Sequence, residues 1–250
     1  MQQTGIGSSQ FYTASVEEGS GATVDQSGNV VATEPGTYKV TLKIADGFRW
    51  KIKKAEPDDT DEDYEYTTDD QTVEFRIRRI DISNVKFSTI KTKVYTGKAI
   101  KPSFRVTLNG TVLKAGTDYI VIYSSNKKVG LGKAIVAGKG HYSGVSSRYA
   151  KFKIIPKKAV IKKAKVGKKK VTLRLKTKPA KTGGNKYQIK YRIKGKKKWK
   201  TKTTKKIKIV LKKLKKGKKY QIKARAFRKV GKKKYYGKWS KIKVTKKIRK

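Results

Sequence analysis

The sequence predicts an all-β chain folded as a row of β-sandwiches, and three observations carry that prediction. Apolar residues alternate with polar ones over runs of about four to eight positions, the pattern of strands buried on one face. The runs are rich in Ile, Val and Tyr, which suit a pleated, half-buried surface. Glycines punctuate them at short intervals, in the last third at Gly167, Gly183, Gly184, Gly195, Gly217 and Gly231, as the turns of a sandwich require. A chain of 250 residues is long enough for two or three such domains.

Residues 1–80 contain the pieces S-G-x-V-x-A (Ser27 to Ala32), P-G-T-Y-x-V (Pro35 to Val40) and D-G-F-x-W (Asp46 to Trp50). They resemble bacterial Ig-like domains. The closing strand is expected in QTVEFRIRRI (71–80) and the opening strands between Gln10 and Val16, so the domain reads as incomplete at its N-terminus. Residues 81–156 carry short strands at 104–109, 118–125, 133–140 and 149–155. The ordered motifs Y-T-G-K (from Tyr95), L-K-A-G-T-D-Y (from Leu113), N-K-K-V-G (from Asn126) and G-K-G-H-Y-S-G (from Gly138) resemble the tandem Ig-like repeats of Gram-positive surface proteins.

In residues 157–250, four runs alternate strictly. Val171, Leu173 and Leu175 share one face, as do Tyr187, Ile189, Tyr191 and Ile193. So do Ile207, Ile209 and Leu211, and again Tyr220, Ile222, Ala224 and Ala226. LKKLKKGKKYQIKARAF resembles the L-x-P-G-x-x-Y stretch of fibronectin type III domains, with Leu214, Gly217 and Tyr220 in the matching places. That resemblance implies a corner tyrosine whose hydroxyl bonds nearby backbone. YYGKWSKIKV (from Tyr235) resembles the G-x-W-S stretch leading into the last strand. Two residues depart from the pattern: Lys216 stands for the usual proline, and Leu175 where a core tryptophan is common.

Charge is placed unevenly. Residues 1–80 hold 9 Lys+Arg against 15 Asp+Glu, residues 81–155 hold 14 against 2, and residues 156–250 hold 44 with no carboxylate. Glutamate-free lysine tracts are usually disordered, but here lysine occupies the polar face of alternating runs, its stem covering apolar surface. A folded domain with 44 uncompensated charges repels itself, and a bound polyanion relieves that cost. Of these residues 39 are lysine and 5 arginine. Lysine is a hydrated point charge rather than a bidentate fork, so binding by charge density with steep salt dependence is expected. The polyanion-binding candidates are Lys212, Lys213, Lys215, Lys216, Lys218, Lys219, Lys232, Lys233 and Lys234. Trp199, Tyr235 and Tyr236 are available for base stacking, whereas Trp239 and Tyr220 read as core.

The one metal candidate is the acidic stretch around Asp59, Asp61 and Asp63, with Asp70 at the twelfth position. That is Ca²⁺-loop spacing, but Tyr64 stands where the loop needs glycine. It reads as a solvated acidic loop, or as one able to dock on a neighbouring molecule's lysines. The single histidine, His141, lies in a Gly-rich turn and reads as a surface residue. No P-loop, G-x-S-x-G or H-E-x-x-H occurs, so neither catalysis nor a cofactor is expected. The absence of cysteine excludes a disulfide scaffold or thiolate metal site. The opening MQQTGIGSSQ has no signal-peptide pattern, and no apolar run approaches the roughly 20 residues of a membrane span.

The resemblances imply a non-enzymatic, secreted or surface-bound module string of a Gram-positive, Clostridia-like bacterium, monomeric, serving adhesion or spacing. Its cationic last domain would hold anionic wall polymers such as teichoic acid, or sulfated glycans of a host surface. Two other readings stay open: the accessory targeting region of a secreted wall hydrolase or glycosidase, and a binder of nonspecific nucleic acid.

Overall fold

The structure, a computed structural model, describes residues 2–7, 9, 12–53 and 64–249. Among them the regular elements are β-strands, apart from one short 3-10 turn at Pro179–Thr182. The expected all-β class is what the chain adopts: tandem β-sandwiches. It divides into two compact units, Met1–Asp81 with Gly138–Ser143, and Ile82–Ala137 with Gly144–Lys250. The metal candidates Asp59, Asp61 and Asp63 lie outside the described residues.

The first unit has two three-stranded antiparallel sheets. One orders Gln2–Gly7, Asn29–Ala32 and Ala22–Val24; the other orders Tyr12–Val16, Gly36–Ile44 and Gln71–Ile77. The strand Gln2–Gly7 precedes the region where opening strands were expected. Ala14, Val30, Ala32, Tyr38, Val40 and Leu42 form the core. Tyr38 stacks on Phe75 at 5.1 Å between ring centroids and donates its hydroxyl to the Glu34 carbonyl at 2.6 Å. Asp25 accepts the backbone N–H of Asn29 and of Ser27 at 2.9 Å each, which closes a turn. Those bonds, that of Asn29 foremost, hold its carboxyl below the usual range.

Residues 138–143 join this unit through a parallel pairing of Tyr142–Ser143 with Ile80–Asp81. His141 accepts the Ile80 N–H on its carbonyl, and its Nε2 lies 3.4 Å from Glu34 Oε1, both side chains being largely exposed. The histidine is thus a surface turn residue with a carboxylate neighbour that sequence distance had hidden.

In the second unit, residues 82–137 and 144–156 build a sheet of Lys86–Phe87, Val106–Leu108 and Thr111–Leu113 and another of Lys93–Val94, Ala150–Ile155, Gly130–Gly138 (all but its last residue) and Tyr119–Ser124. Residues 157–249 form the C-terminal sandwich. One sheet orders Ile161–Gly167, Lys170–Leu175 and Lys208–Leu211. The other orders Lys200–Thr204, Lys186–Ile193, Tyr220–Val230 and Lys233–Tyr236, with Lys243–Val244 also on Tyr220–Val230. The alternating apolar residues meet between them: Val171, Leu173, Leu175, Tyr187, Ile189 and Ile222 are essentially inaccessible. The Tyr220 hydroxyl accepts the Lys215 N–H at 3.0 Å, which ties the loop before the strand to its first residue. The last strand is irregular, and hydroxyls replace part of its ladder. Ser240 Oγ accepts the Ala224 N–H and Thr245 Oγ1 the Tyr220 N–H, at 3.0 and 2.9 Å.

The C-terminal sandwich packs onto the one before it. Tyr235 joins the cluster of Val129, Phe152 and Ile154, and Lys157 N–H donates to the Thr182 carbonyl at 2.9 Å. Gly183 has φ +81°, and a Cβ there would lie 2.5 Å from the Tyr95 ring and 2.8 Å from Val129. Both the backbone conformation and the space therefore demand glycine. Gly183→Ala is expected to cost about 2–4 kcal/mol, the sum of a left-handed alanine and an overpacked contact, read as a shift in denaturant midpoint at unchanged slope.

Candidate polyanion-binding surface

Period two separates apolar from basic residues in the C-terminal sandwich, so its cations lie on the outer faces of both sheets. On the three-stranded sheet, Lys163, Lys165, Arg174 and Lys208 line one groove. On the larger sheet the polar faces of two neighbouring strands carry the same triplet at alternate positions: Gln188, Lys190, Arg192 and Gln221, Lys223, Arg225. Antiparallel register sets Gln188 opposite Arg225, Lys190 opposite Lys223 and Arg192 opposite Gln221. Each arginine then donates Nε–H to the facing glutamine Oε1 at 2.8 Å.

Those bonds hold the guanidinium groups over aromatic rings, and a ladder results. Arg192 lies 4.4 Å from the Trp199 centroid, Lys223 lies 4.7 Å from Trp199 and 4.9 Å from Trp239, and Arg225 lies 4.3 Å from Trp239 and 3.7 Å from Tyr236. Cation–π attraction is strongest where water is partly excluded. Trp239 therefore belongs to the outer face and not to the core expected for it. Ser240, its neighbour, is buried, and successive residues of an extended chain face opposite sides. Trp199 and Tyr236, expected to be free for base stacking, are covered by these cations, and Tyr235 is turned into the preceding sandwich's core.

Lys223 sits among like charges. Desolvation first, then Lys190, Arg192 and Arg225, push its ammonium below the ordinary 10.5. Between the lowered folded value and 10.5 the unfolded chain binds more protons, so stability rises with pH there. The destabilisation is fully present below that window. Thermal unfolding at constant ionic strength is expected to show Tm rising as pH approaches 10.5 from below, with a smaller rise in Lys223→Gln.

A cleft of about 420 Å³ opens at the end of this sheet. Lys196, Lys198 and Lys200 line one side and Lys212, Lys213 and Lys215 the other, with Arg192 at the edge and Tyr191, Ile193, Leu214 and Tyr220 beneath. Leu214 is buried and donates its N–H to the Lys169 carbonyl, so it anchors the lysines beside it.

The structure thus divides the lysines singled out by sequence. Lys212, Lys213 and Lys215 enter the cleft. Lys216, Lys218 and Lys219 continue along the same loop without lining it. Lys232, Lys233 and Lys234 sit on the turn and strand beyond Tyr220–Val230, roughly 33 Å away at the usual rise per residue. Lys196, Lys198, Lys200 and the ladder escaped the sequence reading. The repeated Gln–Lys–Arg triplet in QIKYR and QIKAR was the signal present for the ladder.

No protein-family model and no curated protein matches the chain. Among solved structures it is similar to domains A168–A170 from titin, at 10% identity and TM-score 0.30, covering 94% of this chain and 85% of that one. It is similar to the FN1–FN3 domains of chicken CNTN1, at 14% identity and TM-score 0.35, covering 96% and 91%. A cytokine receptor complex matches at 11% identity and TM-score 0.36, covering 67% of this chain and 98% of that one.

Proposed function

We propose that the chain is a non-enzymatic string of extracellular modules from a Gram-positive cell surface, whose C-terminal sandwich holds an anionic wall polymer by charge. The observation that carries this reading is a folded sandwich with 44 cations, no carboxylate after Asp118, and its basic residues gathered on the outer faces and in one cleft. Such a surface raises its own folding cost through self-repulsion, and a polyanion offsets that cost by binding the folded state. The preceding sandwiches, of opposite or milder charge, serve as spacer and adhesion units. The aromatic rings near the basic face are already covered by cations, which disfavours base stacking as the mode of binding.

The test is retention of the full chain on Gram-positive cell walls, with and without teichoic acid, across a salt titration and with DNA as competitor. Retention that needs teichoic acid and survives about 0.15 M salt, where exposed charges are screened beyond roughly 8 Å, is the expected result. Equal retention on stripped walls, or ready displacement by DNA, would reduce the surface to a generic polycation.

A further inference from the structure

Charge density alone does not explain how Arg192 is held. Its Nε–H donates to Gln221 at 2.8 Å, Nη1 reaches the Lys197 carbonyl at 3.4 Å, and its Cζ lies 4.4 Å from the Trp199 ring centroid. Among the described residues Nη2 has no partner. Three contacts thus fix the plane of a guanidinium that borders a cleft of lysines, and none of them neutralises its charge. A guanidinium whose orientation is fixed in advance loses little freedom on binding an oxyanion, and its fork suits two oxygens of a tetrahedral group.

Lys213 gives a second, independent sign. It adopts φ +54° in the left-handed region, where a residue with a Cβ is strained and glycine is not. The sequence nevertheless places lysine at this position, on the lip of the cleft. Backbone strain kept at a residue that lines a cavity points to a site. Nothing in the fold requires a long cation there, since Leu214 next to it supplies the anchor to the core.

We propose that this cleft is a discrete recognition site for one tetrahedral oxyanion, a phosphodiester or sulfate ester of the polymer, with Arg192 as its oriented donor and Lys213 closing over it. The inference rests on the polyanion reading above and sharpens it: the surface has one preferred point of attachment, and the remaining lysines add affinity around it.

The test is an NMR titration of the full ¹⁵N-labelled chain with tripolyphosphate at about 0.15 M salt, and in parallel with a heparin disaccharide, to separate phosphate from sulfate chemistry. Saturable shifts concentrated at the Arg192 Nε–H and the amides of Lys212 to Leu214 are expected. Arg192→Lys, which keeps charge and loses the fork, should weaken binding about tenfold. Lys213→Gly relieves the backbone strain and should weaken binding while leaving Tm equal or higher. Replacing Lys232, Lys233 and Lys234 by Gln should change affinity less than about twofold, since those charges lie beyond a Debye length.

Shifts spread evenly over the basic faces, an Arg192→Lys chain binding like wild type, or no binding of either probe would overturn the site. The two proposals fail separately. Wall retention that survives Arg192→Lys unchanged removes the site and leaves the polymer reading. Tripolyphosphate binding in the cleft without wall retention supports the site and removes the polymer.

Discussion

Between 50 and 200 mM salt, the affinity of this chain for duplex DNA, used as a polyanion of known charge density, is expected to fall by roughly a thousandfold to ten-thousandfold. The reasoning is a count. The cleft is lined by Arg192 and by Lys196, Lys198, Lys200, Lys212, Lys213 and Lys215. If these cations act together, each releases close to one condensed counterion, and log K falls against log salt with a slope of about −6. Fluorescence anisotropy of a labelled duplex at four or five salt concentrations measures it. Replacing Lys212, Lys213 and Lys215 by Gln should flatten the slope by about three, whereas Arg192→Lys should leave the slope alone and shift the intercept. A wild-type slope shallower than about −2 would mean that the cations do not act as one surface.

The second large effect is on stability. Ile222 is wholly buried at the centre of the C-terminal core, among Leu173, Tyr187 and Ile189. Truncation to alanine removes three carbons and leaves a cavity, at a cost of about 2–5 kcal/mol. That is a large share of the 5–15 kcal/mol typical of a domain, and this domain is further weakened by repulsion among its own lysines. Ile222→Ala is therefore expected to leave the C-terminal sandwich largely unfolded at low salt. Trp199 and Trp239 lie in this sandwich, so their fluorescence reports the transition. Because repulsion is part of the deficit, raising salt should restore structure, and a polyanion at about a hundred times its Kd should return about 2.7 kcal/mol. A variant as stable as wild type at low salt would show that Ile222 does not anchor this core.

The strands that can be read from sequence are those buried on one face. In Lys170–Leu175, Lys186–Ile193 and the stretch of Tyr220–Val230 up to Ala226 the apolar positions alternate without a break, and each proved to point at the core; Phe227 then breaks the alternation and Val230 is exposed. Lys200–Thr204 was not legible, because KTKTT carries no apolar residue and lies at the edge of its sheet. Gln2–Gly7, in QQTGIG, lacked the same signal. The pairing of Tyr142–Ser143 with Ile80–Asp81, and of His141 with Glu34, joins segments far apart in sequence. No local pattern announces such contacts.

Sequence by itself determined that the C-terminal residues fold despite their charge, which face of each strand is apolar, and that a polyanion is the partner to test. Alternation and composition are local properties, and burial follows from them directly. Tertiary structure alone decided which cations meet. The register between Lys186–Ile193 and Tyr220–Val230 sets each arginine against a glutamine, with Arg192 over one ring and Arg225 near two, and a slip of one residue would turn every one of those side chains to the other face. The cleft arises because two turns emerge at the same end of the sheet, which places Lys196 beside Lys212 and leaves Lys232 at the far end of an 11-residue strand. Charge can be counted along the chain, but its convergence on one point depends on where the strands turn.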